Sequence, residues 1–282
     1  MSFSIEPVLA PSKALVGSKP AGAGLTKVAP LSTSEPRMNL ETSWALSALC
    51  VLLAAVVRGL TGFGFAAIAV VGLAMLGSLK QAVPLVLILE VASSVMLLRG
   101  AWRAAHYRLL RRLVLAAACG VPCGIWLLTG IDSGGLTVGV YLLVGVLAIL
   151  GLARIRLPMS EGRAGAWLVG GSSGALIAAF SIGGPLVVAW LSHCGLRAHV
   201  LRATLIMFFF AVDLAALVGL ASAWAIPANT GWQALLMLPA LLLGLWIGQQ
   251  LFLRIQPEQA ARFTQWLLLV LAGAGLLGRA WS

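Results

Sequence analysis

Long apolar stretches follow one another along the chain after residue 40, and short clusters of charged, glycine or proline residues separate them. Most stretches lack the strict alternation of polar and apolar positions that half-buried strands show, and they are too long for strands. They therefore predict helices, several of which approach the ~20 residues that cross a bilayer core. The ten predicted segments are 44–57, 65–78, 82–98, 113–130, 136–153, 166–180, 185–194, 203–224, 233–252 and 263–280.

The composition also indicates a membrane protein. The chain is 61% hydrophobic and 10% charged, with a mean hydropathy of +1.02, whereas a soluble protein of 282 residues needs more polar surface. A net charge of +11 would suggest nucleic-acid binding in a soluble protein. Here we interpret it as basic loops that orient helices in a lipid bilayer, without a nucleic-acid partner. The predicted fold class is an all-α polytopic membrane protein.

The first 40 residues differ from the rest of the chain. They are rich in Pro, Ser, Gly and Ala, and they lack the apolar region of a signal peptide. We expect residues 1–40 to form a disordered tail. Met38 lies directly before the first apolar segment, so it is an alternative start of translation.

Four short segments form two pairs, and a glycine-rich break joins the members of each pair. The break "TGFGFA" at 61–66 can be laid over "FSIGGP" at 180–185 with an offset of 119 residues. At an offset of 120, "GIW" from Gly124 matches "GLW" from Gly244, and three long segments follow each break. These matches predict two diverged copies of one unit. The predicted repeats are 41–160 and 161–282.

The positive charges favour an inverted arrangement of the two repeats. If each short pair is a re-entrant hairpin, only Arg37, Lys80 and Arg279 lie on one face, whereas a broken helix that crosses once divides the charges ten to five. The positive-inside rule favours the hairpin, although the broken helix remains an alternative. Three full crossings per repeat then give the two repeats opposite orientations. In the hairpin form one face holds Arg99, Arg103, Arg108, Arg111, Arg112, Arg154, Arg156, Arg163, Arg197, Arg202, Arg254 and Arg262.

The two breaks have the chemistry of an anion site. Unpaired backbone groups in hydrocarbon cost several kcal/mol each, so such breaks are buried in protein or line a cavity. We expect Thr61 to cap the helix after the first break, while Gly62 and Gly64 allow a ligand to approach the backbone. In the second break, Ser181 is the expected cap and Pro185 suits the first helical turn. Two helix N-termini would then attract an anion near the middle of the membrane.

Three charged residues lie well inside the apolar segments. The planar fork of Arg58 suits a carboxylate or sulfonate ligand, but an ion pair with Glu90 explains it equally well. Glu90 and Asp213 are candidates for carrying a coupled proton or ion, or each is a structural partner of an arginine or the backbone. Close helix packing is the alternative explanation for the glycines.

No motif of a metal site, a cofactor site or a catalytic centre occurs. The chain has no HExxH, Walker or GxSxG sequence, and "GLTGFG" lacks the strand and βαβ unit that a dinucleotide site requires. We therefore expect a protein without a cofactor or metal that is not an enzyme.

At "RGLTGFGFAAIAV" and "GGSSGALIAAFSIGGPLVVAWL" the chain resembles the TauE/SafE sulfite exporter family, also called the toluene sulfonate uptake permease (TSUP) family. The resemblance covers about residues 40–280. It implies two related halves and secondary transport of sulfite, sulfonates or sulfoacetate-like anions across a bacterial inner membrane. Phe63 and Phe65 stand where the family usually has a glycine cluster. By motif match, the substrate region falls on Arg58, Thr61, Gly62, Gly64, Ser181, Gly183, Gly184 and Pro185.

The leading hypothesis is a transporter of small sulfur-containing anions that works by alternating access. Uptake and export, and proton and sodium coupling, are all compatible with the sequence. The alternatives are an anion-selective channel that uses the same helix dipoles and a carrier for another small carboxylate anion.

Overall fold

The computed structural model describes residues 40–152, 162–252 and 257–280, and it places ten α-helices there. The helical class predicted from the hydrophobic pattern is confirmed, and no strand occurs within these ranges. The predicted tail before Leu40 and the alternative start at Met38 lie outside the described residues. The helices are α1 Leu40–Thr61, α2 Phe65–Leu76, α3 Leu79–Ala101, α4 Tyr107–Gly130, α5 Ser133–Leu152, α6 Arg163–Phe180, α7 Gly184–His193, α8 Ala198–Ser222, α9 Thr230–Phe252 and α10 Pro257–Ala280.

Five of the described helices, α1, α3, α4, α8 and α9, are long and apolar enough to cross a membrane. Shorter apolar stretches lie in α2, α5 and α10. The outer surface is apolar as well, because Trp126, Leu168 and Val270 are 73%, 70% and 64% exposed. Large exposed apolar areas are unfavourable in water, and they are expected where lipid chains surround a helix bundle.

Glycines bring α4 and α6 into close contact. A Cβ atom added to Gly170 would lie 2.6 Å from the carbonyl oxygen of Leu113. The backbone of Gly174 packs in the same way on Ala117. Because the contacts advance in the same direction along both helices, α4 and α6 run parallel. Small residues at such contacts let two backbones approach each other, as is common in membrane proteins.

The same kind of contact joins α1 and α9. A Cβ atom on Gly244 would lie 2.5 Å from the Leu52 carbonyl oxygen, and Gly248 packs on Val56. These helices therefore also run parallel. Each of the two extensive glycine contacts joins the helix before a break to the helix of the GIW or GLW motif in the other half of the chain.

The helix pair α1–α2 returns to the end of the molecule at which it begins. Trp44 near the start of α1, Gly77 after α2 and Gln233 near the start of α9 line one cavity of about 210 Å³. We call this end of the molecule the opposite end, because it lies across the molecule from the arginine-rich end described next. The start of α3, with Lys80, lies here too.

The pair α6–α7 opens toward the other end of the molecule. There the end of α3, the start of α8 and the end of α9 line a cavity of about 560 Å³. The α6 helix starts beside the start of its parallel neighbour α4, and α7 ends just before α8. We call this the basic end, because the described residues place eight arginines here. They are Arg99, Arg103, Arg108, Arg111, Arg112, Arg163, Arg197 and Arg202.

Candidate functional site

Both glycine-rich breaks line one buried cavity between α2, α3, α7, α8 and α10. Its volume is about 20 Å³, roughly the space that one water molecule needs. The structure therefore shows the two breaks facing each other in a closed arrangement. The lining residues are Phe63, Gly64, Ala66, Ala67, Glu90, Ser181, Ile182, Gly184, Pro185, Phe209, Asp213 and Leu268. We call this space the central cavity.

The first break is a short turn between α1 and α2. Gly62 and Gly64 have φ values of 83° and 89°, in the left-handed region that favours glycine. Gly64 occupies the N-cap position of α2, so the predicted cap at Thr61 is wrong. The Thr61 hydroxyl instead donates to the Val57 carbonyl oxygen, 2.8 Å away, at the end of α1. The N-cap residue of α2 has a positive φ, which glycine adopts readily and threonine does not. Gly64 therefore takes this position, and Thr61 remains in the last turn of α1.

A carboxylate of the protein occupies the N-terminus of α2. Glu90 accepts a hydrogen bond from the Ala66 N–H at 3.0 Å, and it forms an ion pair with Arg58. Both side chains are buried. Arg58 also donates to the Ser94 hydroxyl at 2.6 Å, and its guanidinium lies 5.6 Å from the centre of the Phe209 ring.

The structure thus contains the ion pair that was one of the two sequence-based explanations for Arg58. Arg58 does not line the central cavity, whereas Glu90 does. Arg58 can therefore act on a molecule in the cavity only indirectly, through its contacts with Glu90 and Phe209 and through its charge.

The second break joins α6 to α7. Ser181 has a left-handed backbone (φ 59°) and donates its N–H to the Ile177 carbonyl oxygen at 2.7 Å, so it caps the C-terminus of α6. Gly183 occupies the N-cap position of α7, and the predicted cap at Ser181 is wrong. Pro185 lies in the first turn of α7, as the sequence predicted.

The two glycines of the second break face different surroundings. A Cβ atom on Gly183 would lie 2.6 Å from Ile177 Cγ1 and 2.8 Å from the Ser173 carbonyl oxygen, so Gly183 is a packing residue. Gly184 lines the central cavity, where a Cβ atom would meet Phe209 at 3.3 Å and Phe63 at 3.7 Å. Gly184 therefore borders the space that a ligand could enter, whereas Gly183 does not.

Two buried polar atoms at the central cavity have neither a hydrogen-bond partner nor an ion-pair partner among the described residues. They are the Ser181 hydroxyl oxygen and the Asp213 carboxylate oxygen Oδ2, and both side chains are at least nine-tenths buried. Buried polar groups are normally paired, so these two groups are available to a ligand, an ion, a proton or a water molecule. Gly183, at the N-cap of α7, has no side chain that could accept hydrogen bonds from the first turn.

The charges around the central cavity do not balance. Arg58 and Glu90 neutralise each other, whereas Asp213 lies in the field of both and has no cation of its own among the described residues. An isolated buried carboxylate costs several kcal/mol unless it gains a proton or a cation. The site is therefore suited to take up one positive charge at Asp213.

Sequence reasoning missed Ser94 and Phe209, which hold Arg58 in place. A signal was present, because Phe209 and Asp213 follow Glu90 and Ser94 by the same 119 residues that separate the two breaks. Extending that offset into the long helices would have identified both positions.

The family described as Sulfite exporter TauE/SafE matches residues 47–276, a range that includes both breaks and every residue of the central cavity. No curated protein and no solved structure matches the chain.

Proposed function

Since the chain belongs to the TauE/SafE sulfite exporter family, we propose that it is a secondary transporter that carries small sulfur-containing anions by alternating access. The family is one of membrane permeases, and the helices make the chain a multi-pass membrane protein. The observation that carries the proposal is the central cavity, where two broken helices meet beside the unpaired Ser181 hydroxyl and Asp213 carboxylate.

The two halves, 41–160 and 161–282, are proposed to be inverted repeats. The α1–α2 hairpin opens to the opposite end, while the α6–α7 hairpin opens to the basic end. The reciprocal packing of α1 on α9 and of α6 on α4 supports the same relationship. Inverted repeats let a carrier expose one central site to each side in turn.

The substrate is proposed to bind at the N-terminus of α7. Its oxygens would accept hydrogen bonds from Ser181 and from backbone N–H groups of the first turn after Gly184, where the helix dipole favours an anion. Pro185 shapes this turn. The first break borders the site on the side that faces α7. Thr61, Gly62 and Gly64 set the backbone of this turn, and Arg58 acts on the site through its ion pair with Glu90.

Asp213 is proposed to carry the coupled proton, while Glu90 stays paired with Arg58. Two negative charges 4 Å apart repel each other by about 4 kcal/mol at an effective dielectric constant of 20. An oxyanion beside Asp213 therefore requires a proton or a sodium ion on that carboxylate. A protonated Asp213 would in addition donate a hydrogen bond to the anion.

Transport requires the central cavity to widen, because about 20 Å³ holds a water molecule and not an oxyanion. Phe63 and Phe209 line it from the first break and from α8, so movement of one hairpin relative to α8 would open it. By the positive-inside rule the basic end faces the cytoplasm, and we propose the bacterial inner membrane as the location.

Purified protein in liposomes tests the proposal. The panel contains sulfite, thiosulfate, sulfonates, sulfoacetate and carboxylates, and the measurement is uptake together with counterflow of labelled anion. Saturable counterflow with a sulfur oxyanion is expected. Fluxes that do not saturate and show no counterflow would indicate a channel, and preference for a carboxylate without sulfur would contradict the proposed substrate class.

A further inference from the structure

The cavity of about 560 Å³ at the basic end is separate from the central cavity and shares no lining residue with it. Its polar lining consists of His199, Arg202, Gln249 and Gln250. Within the part of the chain that the structure describes, its lining contains no Asp or Glu, and its volume lies in the range of small-molecule sites. We call it the basic vestibule.

Arg202 connects the basic vestibule to the first break. Its Nη2 donates to the Gly59 carbonyl oxygen at 2.7 Å, near the end of α1. Its Cγ atom packs on Gly62, where an added Cβ atom would lie 2.7 Å away. Phe63 and Gly64, the next residues of the same turn, line the central cavity. The first break therefore contacts Arg202 through Gly62 and borders the central cavity through Phe63 and Gly64.

Further positive charge lies close in sequence to the residues that line the vestibule. Arg99, Arg103 and Arg197 are exposed on the adjoining helix ends and loops. The stretches of sequence that contribute the vestibule lining, 96–104, 199–206 and 249–250, contain no Asp or Glu. A cleft lined by charge of one sign raises the local concentration of the opposite ion.

The cavity at the opposite end differs. It holds about 210 Å³, and its polar lining consists of uncharged side chains from Ser43, Ser47, Ser78, Gln81 and Gln233. The two ends of the molecule therefore offer an anion different electrostatic environments.

We propose that the basic vestibule is a second anion site, which collects a small free oxyanion from water and holds it at Arg202 beside the first break. This inference rests on the proposed transport function, since it gives the anion a path to the central cavity. A small anion is favoured over a lipid phosphate group because the Arg202 side chain is only partly exposed and contacts Gly59 and Gly62 at the first break.

Charge-selective labelling of cysteine tests the vestibule without requiring transport. The background variant has the native cysteines replaced by alanine and is reconstituted in phosphatidylcholine nanodiscs, so that both ends are accessible. Gln249→Cys places a thiol in the vestibule. Gln233→Cys is the matched control in the other cavity, about 24 Å away along α9. Each variant reacts with an anionic and with a cationic thiosulfonate reagent.

For Gln249→Cys, the anionic reagent is expected to react about 10-fold faster than the cationic one. Sulfate should slow this reaction, and adding Arg202→Gln should remove the preference, whereas Arg202→Lys should retain it. Gln233→Cys should show no preference and no effect of sulfate.

Equal rates for the two reagents at Gln249→Cys would overturn the proposal that the vestibule is an anion site. A preference that neither sulfate nor Arg202→Gln changes would overturn it as well. Protection by phosphatidylglycerol in place of sulfate would assign the site to a lipid headgroup and also overturn it. Because labelling is independent of flux, a charge-selective vestibule in a protein that fails the liposome assay would refute the transport function alone.

Discussion

The carboxylate of Glu90 accepts a hydrogen bond from the backbone N–H of Ala66, 3.0 Å away, in the first turn of α2. A group of the protein itself thus occupies one of the two helix N-termini that meet at the central cavity. The start of α7 has no equivalent acceptor in its N-cap residue, Gly183. This asymmetry supports the proposal that the substrate binds at the second break and that the first break has a structural role.

Removing Arg58 alone should destabilise the protein strongly. Arg58→Met leaves Glu90 buried without its ion-pair partner, and breaking such a pair costs about 3–5 kcal/mol. Thermal unfolding in detergent should show a large decrease in melting temperature. The Arg58→Met/Glu90→Gln double variant should recover most of it, because the amide oxygen of glutamine can still accept from Ala66.

A double variant as unstable as Arg58→Met alone would contradict this account of the pair. Transport by the double variant is informative as well. Retained counterflow would show that Arg58 does not bind the substrate directly.

Replacing Asp213 should uncouple anion movement from protons. Asp213→Asn resembles the protonated carboxyl, so labelled-anion counterflow should persist with a rate that no longer depends on pH. A pH gradient across the liposome membrane, which drives accumulation by the native protein, should have no effect on the variant. A sulfonate is the suitable test anion, because its own charge does not change near neutral pH.

The matched control is Asp132, at the exposed turn before α5. The Gly135 N–H donates to its carboxylate at 2.8 Å, and this hydrogen bond lowers the pKa of Asp132. Asp132 therefore stays ionised at the near-neutral pH values of the transport assay. Asp132→Asn should leave the pH dependence of labelled-anion counterflow unchanged. Accumulation by Asp213→Asn in response to a pH gradient would exclude Asp213 as the proton carrier, and a sodium requirement would indicate the other coupling ion.

The neighbouring glycines of the second break should separate binding from folding. Gly184→Ala adds a methyl group at the central cavity, 3.3 Å from Phe209, and it should weaken anion affinity by about 10-fold while stability is maintained. Gly183→Ala instead places the methyl group against Ile177, and overpacking of this kind costs about 1–3 kcal/mol. Thermal unfolding measures the stability of both variants, and anion titration measures their affinity. Equal losses of anion affinity in Gly183→Ala and Gly184→Ala would contradict the placement of Gly184 at the site.

The sequence predicted the helices well, because membrane helices follow directly from long apolar segments. The family was also recognised from the two glycine-rich motifs. Both breaks were located correctly, since glycine, serine and proline in an apolar stretch interrupt a helix.

The caps could not be predicted, because they depend on the backbone path through each turn. Thr61 and Ser181 are good N-cap residues in isolation, yet both end the preceding helix and glycines begin the next one. The partner of Arg58 was predicted only as an alternative. Choosing between a ligand and Glu90 requires knowing how α1 and α3 pack, and this information does not lie in either segment alone.

The most direct test of the substrate site is sulfite binding to purified Ser181→Ala, measured by isothermal titration calorimetry. Ser172→Ala is the control, since the Ser172 hydroxyl is exposed on the same helix pair and bonds to the Leu168 carbonyl oxygen. A hydrogen bond to a charged ligand contributes about 1.5–3 kcal/mol, so Ser181→Ala should bind sulfite at least ~10-fold more weakly than the native protein and the control. Equal affinity in all three proteins would contradict the placement of the anion between the two breaks.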